Sequence, residues 1–176
     1  EMNGSIEMEF AAELSTGIFN PLQIRPVSSD SLRAEVDWDG IDTSGAVVNS
    51  SSALGVGWIT GVRDFVYLKP ETFDKMKTLE IAAELREFNS RMRAAGRTYV
   101  LVGYGRWGSS IPTLGVPVVW SDISEVKALV ECSLPDFRVD PSQGTHFFQN
   151  LTSFNVGYIN VDPYGRAGDS LDLGAL

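Results

Sequence analysis

The sequence predicts a mixed α/β fold, in which a β-rich sheet domain carries one long packed helix and is preceded by a hairpin. Three observations predict it. Short β-prone segments recur along most of the chain, only one segment has sustained helical periodicity, and the segment directly after it is an apolar run typical of a buried strand. With 176 residues, 43% of them hydrophobic, the chain can bury one sizeable core.

The hairpin is predicted at the start of the chain. Residues 6–10 alternate apolar and acidic side chains, which is the two-residue period of a half-buried strand. A Ser-Thr-Gly turn follows at residues 15–17, and residues 22–25 alternate again until Pro26 ends the second strand. We assign residues 1–27 to this unit.

Composition divides the rest of the chain. Residues 28–57 are rich in Ser, Gly and Asp, and we interpret them as a linker with room for one strand. Residues 58–163 contain the helical segment and most of the β-prone ones, and they are expected to form an α/β domain. We interpret residues 164–176 as a frayed tail.

The helix is predicted at residues 78–95. Its apolar side chains fall at i, i+4, i+7 and i+11 and make one continuous stripe. They are Ile81, Leu85, Phe88 and Met92. Gly96 stands where a left-handed C-terminal cap belongs, and Arg91, Arg93 and Arg97 lie near the negative end of the helix dipole.

The remaining segments are predicted mainly as strands. Residues 64–68, 98–102 and 116–120 are short and rich in β-branched and aromatic side chains. Residues 123–131 are compatible with a short helix or a strand, because their periodicity does not decide between the two. From Phe137 onward, Pro and Gly interrupt short apolar segments, and a β-rich end is expected.

Charge and rare residues exclude several classes of function. A formal net charge of −9 argues against a nucleic-acid-binding surface, which needs clustered Lys and Arg. The single cysteine, Cys132, excludes an internal disulfide and a thiolate zinc site, and the single histidine, His146, excludes the usual multi-histidine centre. A bound metal is therefore expected to be Mg²⁺ held by oxygen ligands.

The sequence shows no membrane signal. No apolar run approaches the roughly 18 residues of a membrane span, and the start of the chain lacks a signal-peptide pattern. We expect no membrane partner and a cytoplasmic location. The chain begins at Glu1 rather than Met, and we interpret it as a piece of a longer protein. The oligomeric state stays open, with a homo-oligomer among the alternatives.

Two short segments of the hairpin carry a resemblance to a known family. They read Glu-Met-Glu-Phe at residues 7–10 and Leu-Gln-Ile-Arg-Pro at residues 22–26. The pair resembles the end of the ATP-binding domain of the phosphoenolpyruvate synthase and pyruvate phosphate dikinase family, which carries an acidic strand followed by LQxRP. The resemblance implies that the hairpin belongs to an ATP-grasp sheet. It also implies that Glu9 and Gln23 bind the Mg²⁺–nucleotide, with Glu9 as metal ligand, and that Arg25 is a catalytic residue serving the phosphoryl groups.

The same resemblance implies a function for the parent protein. Such a protein is a phosphotransferase, a kinase that moves a phosphoryl group between Mg²⁺–ATP, a histidine carrier and pyruvate or phosphoenolpyruvate. The rest of the ATP-grasp fold is expected upstream, so this chain by itself is expected to be inactive. The alternative is a non-catalytic interaction or regulatory module descended from that family. The segment LGVPVV at residues 114–119 resembles part of the family's phosphohistidine domain, but Ser109 or Ser110 stands where the phosphorylated histidine is expected, which favours this alternative.

A glycine pattern follows the strand at residues 98–102. Gly103-Tyr-Gly105-Arg106-Trp-Gly108 matches G-x-G-x-x-G, yet Pro112 prevents the long helix that a dinucleotide site requires. Two interpretations stay open for the loop. It is either a tight turn with close backbone packing or an anion-binding loop in which Gly105 and Arg106 hold a phosphate or carboxylate.

His146 is the only imidazole and therefore the only phosphocarrier candidate in this chain. It follows Gly144-Thr145, which is similar to the family's phosphohistidine signature with one spacer residue missing. The neighbouring aromatic residues Phe147 and Phe148 favour a structural histidine instead. Both roles stay open.

Overall fold

In the computed structural model, the described residues are 6–26, 36–37, 39–54, 58–142, 147–148, 151 and 154–176. One helix of 17 residues, α1, spans Thr78–Ala94. The strands in chain order are β1 Ile6–Glu13, β2 Ile18–Pro26, β3 Val48–Asn49, β4 Ser52–Leu54, β5 Asp64–Tyr67, β6 Tyr99–Tyr104, β7 Arg106–Trp107, β8 Gly115–Val116, β9 Val126–Cys132, β10 Gly157–Val161 and β11 Ser170–Leu171. The mixed, β-rich fold with one long helix is confirmed.

A five-stranded sheet forms the centre of the molecule, in the order β4-β10-β9-β6-β5. The four strands β10, β9, β6 and β5 are parallel, and β4 is antiparallel at one edge. Parallel strands are usually covered on both faces and therefore read as near-continuous apolar runs. The strand β6 follows this rule, because all but one of its six residues are buried.

Alternate residues of the parallel strands pack into two apolar clusters. One cluster joins Tyr99 and Leu101 of β6 to Leu85 and Met92 of α1. The other contains Val102 of β6 with buried side chains from β9, β10 and the loops. Because successive strand residues point to opposite faces, the helix covers one face of the sheet and loop residues cover the other.

The helix lies between β5 and β6 in the chain and ends where the sequence predicts. Gly96 adopts a φ of 61°, and the amide of Arg97 donates to the carbonyl of Met92 at 3.0 Å. This is the six-residue hydrogen bond of a Schellman cap. The predicted helix and its glycine cap are both confirmed.

Two segments differ from the expectation. Of residues 116–120, only Val116 lies in a strand, β8, because Pro117 has no amide to continue the ladder and the amide of Val118 turns back to the carbonyl of Val116 at 2.9 Å. A 3₁₀ turn at Trp120–Asp122 follows. Phe147 and Phe148 are helical rather than extended.

In the ambiguous segment 123–131, the residues from Val126 onward form strand β9, which pairs with β6 and β10 in the middle of the sheet, and residues 123–125 form a turn. Other strands lie in the interval expected to be a linker: β3, and β4 at the edge of the central sheet. In the interval expected to be a tail, β11 pairs with β3.

The hairpin of β1 and β2 forms its own antiparallel two-stranded sheet, as predicted, with a register irregularity after Glu9. Its two faces differ. Met8, Phe10, Phe19 and Ile24 share one apolar face and are all partly exposed, and the rings of Phe10 and Phe19 lie 4.8 Å apart. On the opposite, polar face, Glu9 pairs with Gln23 of β2.

Candidate functional site

Three parallel strands end together at one edge of the central sheet. Tyr104 of β6 pairs with Cys132 of β9, which in turn pairs with Val161 of β10. Hydrogen bonding continues for one residue past the strand ends. The amide of Gly105 donates to the carbonyl of Cys132 at 3.3 Å, and the amide of Ser133 donates to the carbonyl of Val161 at 3.0 Å. The carboxyl edge of parallel strands is where open α/β sheets bind ligands.

The glycine loop at this edge is a tight turn with close packing. Gly105 has a φ of 74° and Gly108 a φ of 69°, and no helix begins at Gly108. A Cβ atom added to Gly105 would lie 2.6 Å from the carbonyl oxygen of Leu114, and one added to Gly103 would overlap the Trp107 ring. Close packing and positive φ angles therefore explain the glycine pattern. The prediction of a turn without a dinucleotide-binding helix is confirmed.

A buried carboxylate fixes the loop beneath the edge. Glu131 of β9 is 2% exposed and accepts hydrogen bonds from the backbone amide of Trp107 at 2.8 Å and that of Ser142 at 2.9 Å. It also accepts from the hydroxyls of Ser142 and Tyr158. A buried carboxylate with several donors is satisfied without a cation, so Glu131 joins two loops and two strands.

Glu131 is not among the predicted site residues, although the sequence carries a signal for it. It is the only acidic residue within the strand VKALVEC, between buried Val130 and Cys132. A charged residue in a buried strand interior needs a set of partners, and it therefore marks a place where loops converge.

A cavity of about 490 Å³ opens above this edge, and we call it the arginine cavity. Three arginines line it: Arg106 from β7, Arg138 from the loop after β9, and Arg166 from the loop after β10. Two aspartates, Asp140 and Asp162, also line it. Among the side chains that line the cavity, arginines outnumber aspartates by one, and the buried carboxylate of Asp169 behind Arg166 balances that charge.

Arg106 is the arginine with the weakest acidic partner. Its Nε donates to the backbone carbonyl of Asp140 at 2.6 Å, which holds the guanidinium in place. Its Nη2 lies 3.6 Å from the Asp140 carboxylate, whose side chain is 95% exposed. An exposed pair at this distance contributes about 0–1 kcal/mol, so the outward donors of Arg106 remain available to a ligand.

The other two arginines are held more firmly. Arg138 donates to the Asp162 carboxylate at 3.1 Å and lies 5.9 Å from the ring of Tyr164. Arg166 donates through Nε to Asp169 at 2.8 Å and through its terminal nitrogen to the side chain of Asn160 at 2.6 Å. These contacts orient the two guanidinium groups before any ligand arrives.

Asp169 is itself buried, at 7% exposure. Burial alone would raise the pKa of its carboxyl, but hydrogen bonds from the amides of Asp162 and Ser51 and from Arg166 bring the pKa below its usual value. The group is therefore an anion at neutral pH, and it holds Arg166 at the cavity wall.

The structure divides the predicted site residues between two sheets. Gly105 and Arg106 lie at the carboxyl edge of the central sheet, where Arg106 lines the arginine cavity. Glu9, Gln23 and Arg25 lie on the hairpin, where Glu9 pairs directly with Gln23, and Arg25 stands two positions further along β2. His146 lies outside the described residues.

Neither a metal cluster nor a reactive thiol is found in the described part of the chain. No three His, Cys, Asp or Glu side chains among the described residues are grouped to hold a metal ion. Burial, with help from the nearby charges of Asp162 and Asp169, raises the pKa of Cys132 to about 11, so its thiol stays protonated at neutral pH. Within the same residues, no helix is long and apolar enough to cross a membrane.

Comparison with protein-family models, with curated proteins and with solved structures finds no match for this chain.

Proposed function

We propose that this chain binds a small phosphate-bearing ligand in the arginine cavity. The observation that carries the proposal is the convergence of Arg106, Arg138 and Arg166 on one cavity at the carboxyl edge of a parallel sheet. A guanidinium group presents planar, always-charged donors that match phosphate oxygens, and its hydrogen bonds to anions are stronger than those between neutral groups.

The arrangement supports binding because the donors are already in position. Arg138 and Arg166 are each held by a carboxylate, and Arg106 is held by a backbone carbonyl. A ligand therefore loses little free energy to the ordering of these side chains. A phosphate dianion entering the cavity replaces the weak contact between Arg106 and exposed Asp140.

Titration calorimetry with inorganic phosphate tests the proposal. Wild type is expected to bind in a saturable way, and Arg106→Gln is expected to raise the dissociation constant at least about tenfold, since a hydrogen bond to a charged group contributes ~1.5–3 kcal/mol. Arg91→Gln is the matched control, because it removes the same charge from the exposed face of α1. Absence of saturable binding, or equal weakening by both variants, contradicts the proposal.

A second candidate function concerns the hairpin. We propose that the chain is part of an ATP-dependent phosphotransferase resembling phosphoenolpyruvate synthase and pyruvate phosphate dikinase, in which Glu9, Gln23 and Arg25 complete a Mg²⁺–ATP site. The strand register supports it, because Glu9 pairs directly with Gln23 and Arg25 stands only two positions further along β2. A carboxylate oxygen suits Mg²⁺, and phosphoryl transfer depends mainly on such placement of charge.

Labelling with γ-³²P-ATP tests this second candidate in the longer protein that is expected to contain the chain. The proposal predicts acid-labile label that is lost in Arg25→Ala, and the present chain alone is expected to bind ATP no tighter than about millimolar, a limit set by the missing nucleotide contacts. Loss of label in His146→Ala would identify the phosphocarrier in this chain. Absence of label from the wild type would instead favour a non-catalytic regulatory module.

A further inference from the structure

We infer that the phosphate-bearing ligand has a compact apolar body, about one ring in size, and that this body occupies a second cavity beside the arginine cavity. The inference rests on the proposed binding of phosphate by Arg106. It adds the class of ligand: a phosphate monoester of a small, uncharged, mainly apolar group.

The second cavity has a volume of about 280 Å³, and we call it the body cavity. Arg106 and Leu114 line both cavities, so the two adjoin at these side chains. A phosphate held by Arg106 in the arginine cavity therefore lies next to the body cavity.

The walls of the body cavity suit an uncharged group. Arg106 is the only ionisable residue among its described lining residues, and Trp107, Ile111, Leu114 and Phe147 contribute apolar surface. Ser109 is already used, since its hydroxyl donates to the carbonyl of Ile111 at 2.8 Å and accepts from the amide of Ile111 at 3.1 Å. Small-ligand cavities of this kind combine apolar walls with a few oriented polar groups.

The cavity is small and its inner wall is firm. Its volume of about 280 Å³ falls just below the roughly 300–1,000 Å³ typical of sites for drug-sized ligands. Gly108 packs against the Phe147 ring so closely that an added Cβ would overlap it, and Phe147 is 8% exposed. The wall cannot retreat without moving buried side chains, so the body is limited to about one ring.

Calorimetry with matched ligands tests the inference on the whole chain. Phenyl phosphate is expected to bind roughly tenfold to a hundredfold tighter than inorganic phosphate, because its ring leaves water for the body cavity. Ser110 lines the exposed rim of the body cavity. Ser110→Trp is expected to fill the cavity from this rim and to remove the difference, while the affinity for inorganic phosphate stays the same. Ser90→Trp, at an exposed position of α1, is the control and is expected to retain the difference.

The outcomes separate this inference from the proposed function. The inference about the body cavity is overturned if inorganic phosphate binds in a saturable way and phenyl phosphate binds no tighter. It is also overturned if the tighter binding of phenyl phosphate survives Ser110→Trp. In both cases the proposal for the arginine cavity stands. If neither inorganic phosphate nor phenyl phosphate binds, the inference and the proposed function are both overturned. Benzoate is the third ligand, and binding of benzoate as tight as that of phenyl phosphate overturns the assignment of a phosphate head group.

Discussion

At the scale of single residues, Gly105 determines where Arg106 points. Its φ of 74° lies in the left-handed region, which residues with a side chain rarely adopt. It also has no room, because a Cβ would lie 2.6 Å from both the Leu114 carbonyl oxygen and the Phe137 ring. Conformation and packing together fix the turn, and the turn carries Arg106 into the cavity wall.

Two glycine substitutions separate these effects. Gly96 has a similar φ of 61° but open space around the position of a Cβ. We expect Gly96→Ala to lower the free energy of unfolding by about 1–2 kcal/mol, the cost of a left-handed alanine. Gly105→Ala is expected to cost at least about 1–3 kcal/mol more, which is the usual cost of overpacking. Urea unfolding measures both, and equal losses would show that packing around Gly105 is unimportant.

Arg106 is predictable from the sequence, but Arg138 and Arg166 are not. Arg106 lies in a glycine pattern that follows a β-prone segment, and Pro112 excludes the dinucleotide interpretation from local sequence alone. Arg138 and Arg166 reach the same cavity only because β9 and β10 pair in parallel and end at one edge. Pairing between distant segments is tertiary information, which no local pattern contains.

At the scale of elements, α1 was predictable because its signals are local. The apolar stripe and Gly96 define the helix within its own sequence, whereas residues 116–120 were predicted as one strand although β8 stops at Val116. Their β-prone side chains suit a sheet, but Pro117 breaks the ladder and β8 has only the two-residue β7 as partner. In these residues, the lack of ladder hydrogen bonds outweighs the β propensity of the side chains.

A buried amide, Asn89, ties α1 to the loop before β9, beside the ion pairs of Arg86 and Arg93 with the same loop. Asn89 is 1% exposed, its Nδ2 donates to the carbonyl of Ser121 at 3.3 Å, and its Oδ1 accepts from the hydroxyl of Tyr99 and the amide of Glu125, each at 3.0 Å. Asn89→Ala leaves these groups unpaired, and we expect the free energy of unfolding to fall by roughly 2–4 kcal/mol.

Ser90→Ala is the matched control for Asn89→Ala, since Ser90 is the next residue and is exposed on the helix surface. Its substitution is expected to change the free energy of unfolding by less than about 0.5 kcal/mol. Thermal and chemical unfolding compare the two variants. A loss below about 1 kcal/mol for Asn89→Ala would mean that water replaces its buried hydrogen bonds.

At the scale of the whole molecule, the central sheet and the hairpin present two separate sets of polar groups. The sheet brings three arginines to its carboxyl edge, and the hairpin places Glu9 and Gln23 on one face of a separate sheet. The sequence predicted the hairpin and the α/β class from periodicity. The membership of the hairpin in an ATP-grasp sheet stays a proposal that rests on the resemblance.

The central claim is that the arginine cavity binds phosphate, and NMR of the arginine side chains tests it most directly. In ¹H–¹⁵N spectra of the Nε–Hε groups, titration with inorganic phosphate is expected to shift Arg106, Arg138 and Arg166 with one common, saturable midpoint. Arg86 and Arg93, which pair with carboxylates beside α1, are expected to stay unchanged. Unchanged signals for the three cavity arginines, or a uniform drift of all five without saturation, would contradict the account.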